Sequence, residues 1–208
     1  HVIKLLREKN GARKRTTIIY VSSSLDITKQ NRTKLAENAD KEIIHTDRIT
    51  LLYERERKSS GVQIYSMTPS TSLCISNSLG NQIERRYIAW LILQMFGVRK
   101  KQLIKIFHHP ARAENFEYNF ERYPHKQNMP SWIFYKIQRE WEKIRLANGQ
   151  YFAEALIDNR IQDETSRELV KRTKLTLAKC LLETIEPDLI IFDEFQKFKE
   201  LTQINDFG

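Results

Sequence analysis

Three short apolar segments, each followed directly by a polar cluster, constrain the fold of this chain most. They are TTIIYV at residues 16–21, VQIYSM at 62–67 and LIIF at 189–192. Their β-branched and aromatic residues are typical of buried strands. Segments with the helical spacing of apolar residues lie between them, at 26–38, 81–96 and 165–187. Strands that alternate with helices predict an α/β fold with a parallel sheet and right-handed crossovers.

The polar clusters define a candidate site. In parallel α/β sheets, ligands bind beyond the carboxyl ends of the strands, where these clusters are expected to lie. The clusters are Ser22–Ser24, Thr68–Ser72 and Asp193–Gln196. The last cluster places two adjacent carboxylates, Asp193 and Glu194, at the end of an apolar strand, where each must stay solvated or find a partner. A bound cation is one interpretation, and a solvated acidic turn is the other.

Composition limits the class of protein and its partners. The chain has 208 residues with 40% hydrophobic content, enough for one domain with an elaboration. Its 35 Lys and Arg against 26 Asp and Glu give a formal charge of +9, which favours polyanionic partners such as nucleic acid. The two cysteines lack CxxC spacing, and there is neither a long apolar run nor a signal peptide. We therefore expect a cytoplasmic protein without a membrane partner.

Residues 98–163 do not continue the alternation of strands and helices. They contain Pro110, Pro124 and Pro130, and a helix is predicted from Ser131 to the Asn148-Gly149 pair. We therefore expect a mostly helical insertion here, with the core of the domain formed by residues 1–97 and 164–208. Four aromatic residues could pack locally or stack on bases: Phe116, Tyr118, Phe120 and Tyr123. The three tryptophans fit helical faces and are predicted to be core residues: Trp90, Trp132 and Trp141.

Three segments together resemble motifs of one family. The DEFQ sequence at 193–196 resembles motif II, the Walker B motif, of superfamily 2 helicases and Swi/Snf-type translocases. YVSSSLDITKQNRTKL at 20–35 is similar to their motif Ia, with Leu25 and Gln30 at matching places. SMTPSTS at 66–72 is similar to the next nucleic-acid-contacting motif, except that Ser70 stands where Gly is expected. The resemblance covers residues 1–97 and 164–208.

The resemblance implies a RecA-like (P-loop NTPase) lobe that uses ATP and Mg²⁺. Asp193 would hold Mg²⁺ through its water shell, and it is the metal-binding residue that the resemblance implies. Glu194 would orient or deprotonate the water that attacks the γ-phosphate, a general-base role. Gln196 would connect the γ-phosphate to nucleic-acid binding. The implied enzyme is an ATP-dependent helicase or translocase.

The same resemblance implies a nucleic-acid interface, with DNA favoured over RNA. Its residues would position the sugar–phosphate backbone through hydroxyl groups, amides and backbone N–H groups without reading sequence. These residues are Ser22, Ser23, Ser24, Gln30, Thr68, Ser70 and Thr71. Ordinary turn and N-cap hydrogen bonding is the alternative role for the serines and threonines among them.

One component of an ATPase is missing from the sequence. The six glycines are widely separated, the closest pair being Gly80 and Gly97, so no GxxxxGK[ST] phosphate-binding loop exists in these 208 residues. We therefore expect a partial N-terminal motor lobe, with the loop just upstream of His1 and a second RecA-like lobe in the same full-length chain. By itself, the fragment is expected to be inactive.

Two other functions are compatible with the sequence. A basic nucleic-acid-binding module could keep the fold without catalysis; its binding would depend on salt but not on ATP or Mg²⁺. A different α/β nucleotide-binding protein could use the acids in other phosphoryl chemistry.

Overall fold

The computed structural model describes residues 2–11, 15–24, 26–27, 30–31, 34, 43–46, 48–54, 61–68, 79–108, 113–121 and 128–193. The chain divides into two compact units. The sheet unit consists of His1–Ile49, Arg57–Ile75 and Ile185–Gly208. The helical unit consists of Thr50–Glu56 and Ser76–Thr184.

The sheet unit contains a parallel sheet of four described strands. Its elements are helix α1 (Val2–Asn10) and strands β1 (Thr16–Val21), β2 (Ile43–Thr46), β3 (Val62–Met67) and β4 (Leu189–Phe192). The strand order is β2-β3-β1-β4, and every pair is parallel. The predicted α/β class is therefore confirmed, and β1, β3 and β4 have the predicted bounds. Strand β2 was not predicted, because the sequence of residues 40–60 was ambiguous between strand and helix; a short 3-10 turn follows at Ile49–Leu51.

One face of the sheet forms the core of this unit. Ile18 and Tyr20 of β1 pack with Val62 and Ile64 of β3, and Ile3 of α1 joins them. Leu189 and Ile191 of β4 pack against the same cluster and are partly buried. Because side chains alternate between the faces of a strand, residues two apart share this face.

Strand β4 is less buried than the sequence predicted. Its opposite face carries Ile190 and Phe192, which are 47% and 55% exposed. The prediction of a fully buried strand is therefore wrong for this segment. The reason is its position, because β4 is the edge of the four described strands and β1 is its neighbour on one side only.

The helical unit contains six described helices. They are α2 (Gln82–Phe96), α3 (Lys100–Phe107), α4 (Ala113–Glu121), α5 (Ser131–Glu142), α6 (Phe152–Ile157) and α7 (Asp163–Leu182). The unit takes in α2 and α7 as well as residues 98–163, so the division between core and insertion stays a prediction. Across the described ranges, no helix is long and apolar enough to cross a bilayer.

Helix α2 begins and ends through local hydrogen bonding. Asn81 and Glu84 form a capping box, in which each side chain accepts from the other residue's backbone N–H. Gly97 ends the helix in the left-handed conformation, with φ of 61°. The predicted end of this helix is therefore confirmed.

Two helices have boundaries that differ from the prediction. Helix α5 ends at Glu142 because the chain turns back, with Leu146 N donating to Gln150 O (2.9 Å) and Phe152 N to Ile144 O (3.0 Å). Helix α7 begins at Asp163, before Thr165, where Thr165 and Glu168 had predicted a capping box, and it ends at Leu182, before the predicted limit at residue 187. The Glu168 carboxylate accepts instead from Ala147 N (2.9 Å) and Arg172 Nε (2.7 Å).

The burial of the aromatic residues separates core positions from surface positions. Phe116 and Phe120 are buried, which favours local packing over base stacking for these two. Trp90 and Trp141 are core residues as predicted, but Trp132 is 60% exposed and its prediction is wrong. The inward face of α5 carries Ile133, Ile137 and Trp141 at helical spacing, and Trp132 lies outside that face.

Candidate functional site

The carboxyl ends of three strands lie in one row at the same edge of the sheet. Val21 of β1 pairs with Met67 of β3 on one side and with Phe192 of β4 on the other. Backbone hydrogen bonds extend past the row, because Ser22 N donates to Met67 O (3.0 Å) and Asp193 N donates to Val21 O (2.8 Å). Ser22, Thr68 and Asp193 therefore each follow a residue of the same row. The prediction that their clusters share one edge is confirmed for these described members.

The serine cluster forms a turn that leads into a helix. Ser22 is fully buried, and its Oγ donates to Ser24 O at 2.9 Å. Ser24 Oγ in turn accepts from Ile27 N at 3.3 Å, an N-cap type of contact. Gln30, which is helical, is exposed. In this structure the Ser22 hydroxyl therefore serves the turn, and the half-buried Ser23 and Ser24 and the exposed Gln30 are better placed for a ligand.

The Asp193 carboxylate is bound by two neutral donors. Tyr20 OH donates to Asp193 Oδ2, and Asn31 Nδ2 donates to the same oxygen at 2.7 Å. Asn31 Nδ2 also lies 2.8 Å from Tyr20 OH, so the three polar groups are in mutual contact. Asp193 follows Leu189 and Ile191 at alternate positions, which places it on the face that carries Tyr20. We call Tyr20, Asn31 and Asp193 the edge triad.

Tyr20 and Asn31 were not among the residues predicted for the site. A tyrosine within an apolar strand reads as a core residue, and Tyr20 is indeed only 3% exposed. Its hydroxyl reaches Asp193 because β1 and β4 are adjacent and Tyr20 pairs with Ile191. Strand order and register were not readable from one sequence. The only sequence signal was that Ile18, Tyr20 and Ser22 occupy alternate positions and so share one face of β1. This signal is weak.

The structure describes one of the remaining predicted residues, Thr68. Thr68 follows β3 at the same edge and is 1% exposed, so its position is confirmed while its side chain is buried. Glu194, Gln196, Ser70 and Thr71 lie outside the described residues. Their predicted roles as general base, coupling residue and backbone contacts stay predictions.

The edge triad suits a hydrated divalent cation better than a directly bound metal. Tyr20 and Asn31 donate without carrying charge, and none of the ion pairs between described residues uses Asp193. Mg²⁺ prefers oxygen ligands and keeps several of its waters, binding through one or two carboxylates and phosphates. Within the described ranges, no group of three or more His, Cys, Asp or Glu side chains comes together. Asp193 therefore fits a magnesium ion held through water, whereas the chain has no Gly-rich loop for a triphosphate.

The helical unit has a cleft of about 360 Å³ that lacks such chemistry. Its lining residues are Phe96, Gly97, Val98, Arg99, Gln102, Leu156, Ile157 and Asn159. Arg99 is the only ionisable group among them, so the cleft contains no acid–base pair. The carboxyl edge of the sheet is therefore the stronger candidate for a catalytic site.

Comparison with protein-family models, with curated proteins and with solved structures gave no match.

Proposed function

We propose that the protein is the N-terminal motor lobe of an ATP-dependent helicase or translocase, built on a RecA-like fold. The observation that carries this proposal is the adjacency of Asp193 to the serine turn, through the Val21–Phe192 pairing and the hydrogen bond from Asp193 N to Val21 O. A motor requires its cation site and its nucleic-acid contacts to be close enough to influence each other. In this sheet both would lie on one edge, in the order that the resemblance implies.

Asp193 would bind the cation, and Glu194 would activate water. Two neutral donors restrict the orientation of the Asp193 carboxyl group, as a water-mediated Mg²⁺ ligand requires. Glu194 is the next residue after the carboxylate that ends β4, and we assign it the general-base role. Gln196 would link the γ-phosphate to the nucleic acid. Bound ATP supplies the scissile phosphoanhydride bond.

The nucleic-acid contacts would lie on the turns after β1 and β3. Ser23, Ser24 and Gln30 offer hydroxyl and amide groups that are partly or fully exposed. Ser22 and Thr68 are buried and would act by shaping these turns, while Ser70 and Thr71 complete the proposed surface. Such groups hold a sugar–phosphate backbone without reading bases. The formal charge of +9 would attract the strand, with DNA as the preferred partner.

The proposal requires two parts that are not in these 208 residues. A Gly-rich loop with Lys and Ser or Thr must hold the phosphates, and a second RecA-like lobe must supply an arginine finger. The decisive experiment therefore uses the full-length protein. The coding sequence upstream of His1 should specify such a loop.

The experiment measures ATP turnover of the full-length protein with and without single-stranded and duplex DNA and RNA. Glu194→Gln should lower turnover by about 100-fold or more, because a general base contributes that much, while nucleic-acid affinity is retained. Glu186→Gln is the matched control: it makes the same change to an exposed acid before the amino end of β4 and should leave turnover unchanged.

Two outcomes would overturn the proposal that the protein is an enzyme. Turnover that is equal in Glu194→Gln and in the parent would remove Glu194 from the chemistry. Absence of turnover, together with salt-dependent nucleic-acid binding that ignores ATP and Mg²⁺, would instead establish a non-catalytic basic binding module.

A further inference from the structure

The edge triad joins three segments that are distant in sequence. Tyr20 lies in β1, Asn31 lies on the helical segment after the serine turn, and Asp193 follows β4. The hydrogen bonds to Asp193 therefore span 173 residues from Tyr20 and 162 residues from Asn31. A local turn would satisfy a carboxylate with nearby backbone groups, but here the donors come from elements that the fold must first bring together.

Tyr20 provides a rigid donor. Its ring belongs to the core cluster with Ile18, Val62 and Ile64, and the residue is 3% exposed. Only the hydroxyl reaches the polar edge, where it donates to Asp193 Oδ2. Because a packed phenol ring has little rotational freedom, the hydroxyl position is determined by the core.

Asn31 provides the second donor and connects the triad to the proposed nucleic-acid surface. Its Nδ2 donates to Asp193 Oδ2 at 2.7 Å and lies 2.8 Å from Tyr20 OH. Asn31 directly follows Gln30, one of the proposed nucleic-acid contacts. Both hydrogen bonds from described residues to the carboxylate end on Oδ2, so Oδ1 is the oxygen that would face a hydrated cation.

We propose that Tyr20 and Asn31 are positioning residues that hold the Asp193 carboxylate in the orientation needed to bind a hydrated divalent cation. The inference rests on the proposed function, since it assumes that Asp193 serves the nucleotide-bound Mg²⁺. It goes beyond the motif resemblance, which assigns no role to either residue. Hydrogen bonds around a ligating group keep its geometry, and their loss typically weakens metal binding 10- to 100-fold.

The competing role is purely structural: the triad could simply tie the edge strand β4 to β1. A structural role would lower stability and leave the affinity for the cation unchanged in the protein that remains folded. The two roles are therefore separable by measuring cation binding and unfolding in the same variants.

The experiment titrates Mn²⁺, as a paramagnetic replacement for Mg²⁺, into the full-length protein with a non-hydrolysable ATP analogue and follows free Mn²⁺ by electron paramagnetic resonance. Tyr20→Phe removes one oxygen atom and should weaken Mn²⁺ binding about 10-fold. Asn31→Ser, at a half-buried position, provides a second variant that should weaken it similarly. The matched control is Tyr65→Phe, which removes a buried hydroxyl that donates to Gln63 Oε1 at 2.6 Å on the opposite face of the sheet. This control should bind Mn²⁺ like the parent protein.

A double-substitution cycle distinguishes the positioning role from the proposed function itself. Asp193→Asn should remove most Mn²⁺ binding, and Tyr20→Phe should then add no further loss. One outcome is that the parent binds Mn²⁺, that Asp193→Asn reduces this binding, and that both triad variants bind like the parent. This outcome overturns the positioning role and leaves the proposed function standing. If Asp193→Asn binds Mn²⁺ like the parent, the cation role of Asp193 fails, and the inference fails with it.

Discussion

Lys174 Nζ lies 3.8 Å from Glu84 Oε1 in the helical unit, and both side chains are 1% exposed. Glu84 also accepts from Thr50 Oγ1 (2.7 Å) and from Asn81 N (3.0 Å). Lys174 Nζ has no hydrogen-bond partner among the described residues. The ammonium group therefore relies on the Glu84 charge, and this buried pair makes the unit sensitive to removal of either partner.

Lys174→Met should destabilise the helical unit by about 3–5 kcal/mol, because it leaves the Glu84 charge buried without its counterion. Lys143→Met is the control: Lys143 is 69% exposed and pairs with Glu140 at 2.6 Å, a shorter contact that should contribute only about 0–1 kcal/mol because solvent screens it. Denaturant unfolding followed by circular dichroism measures both. A Lys174→Met/Glu84→Gln double variant should lose less than the sum of the single losses, and strict additivity would show that the pair is not coupled.

Gly80→Ala should destabilise the same unit more than Gly97→Ala. Both glycines have positive φ, at 78° and 61°, so alanine is strained at either position. At Gly80 the new Cβ would also lie 2.7 Å from Glu84 Oε2 and 3.2 Å from Lys174 Nζ, whereas nothing lies within 4 Å at Gly97. We expect about 1 kcal/mol for Gly97→Ala and at least about 2 kcal/mol for Gly80→Ala. Equal losses in denaturant unfolding would contradict the crowding at Gly80.

Trp141→Ala should destabilise the protein far more than Trp132→Ala, although both residues lie on α5. Trp141 is fully buried and its Nε1 donates to Thr173 O at 3.0 Å, so its removal should cost about 3–5 kcal/mol. Trp132 is 60% exposed, and its removal should change stability by less than about 0.5 kcal/mol. Thermal unfolding of both variants tests this. A large loss of stability for Trp132→Ala would mean that the Trp132 side chain is covered by another part of the protein.

The Cys180 thiol should react slowly with iodoacetamide in the folded protein. Burial raises the pKa of Cys180 above its ordinary value of 9.0, although the Lys136 charge partly offsets this effect. The unfolded state therefore releases the thiol proton at lower pH than the folded state does. The stability that comes from keeping the thiol protonated is fully present below pH 9 and declines as pH rises further, because deprotonation then favours the unfolded state. Alkylation in a Cys74→Ser background should accelerate sharply on adding denaturant. A Cys74→Ser/Cys180→Ala double variant should lose stability less steeply above pH 9 than the Cys74→Ser protein does. Identical slopes in the two proteins would contradict the raised pKa of Cys180.

Ser22→Ala and Gln30→Ala should separate turn formation from nucleic-acid binding. Ser22 is buried and donates to Ser24 O, so its loss should cost about 1 kcal/mol of stability and lower nucleic-acid affinity less than Gln30→Ala does. Gln30 is exposed, so its loss should weaken binding to single-stranded DNA with little effect on stability. Fluorescence anisotropy at two salt concentrations, with unfolding measured in parallel, checks both. The reverse pattern would place the interface on the buried side of the turn.

Much of the sheet edge was predictable from the sequence. The strand segments at 16–21, 62–67 and 189–192 have the predicted bounds, since β-branched runs and polar stops are local signals. The shared edge of Ser22, Thr68 and Asp193 followed from the general geometry of parallel sheets. The end of α5 was mispredicted because apolar spacing continued to Ile144, although the chain had already turned back.

The sequence by itself determined where β1, β3 and β4 lie, which residues end them and the α/β class, because these depend on side-chain type and spacing within short segments. Only the tertiary structure decided that β4 is an edge strand with Ile190 and Phe192 exposed, and that Tyr20 and Asn31 bind Asp193. The placement of β4 beside β1 depends on contacts between residues more than 160 positions apart, as in the Asn31–Asp193 separation of 162. No local pattern encodes such a pairing, because its free energy arises only when distant segments pack together.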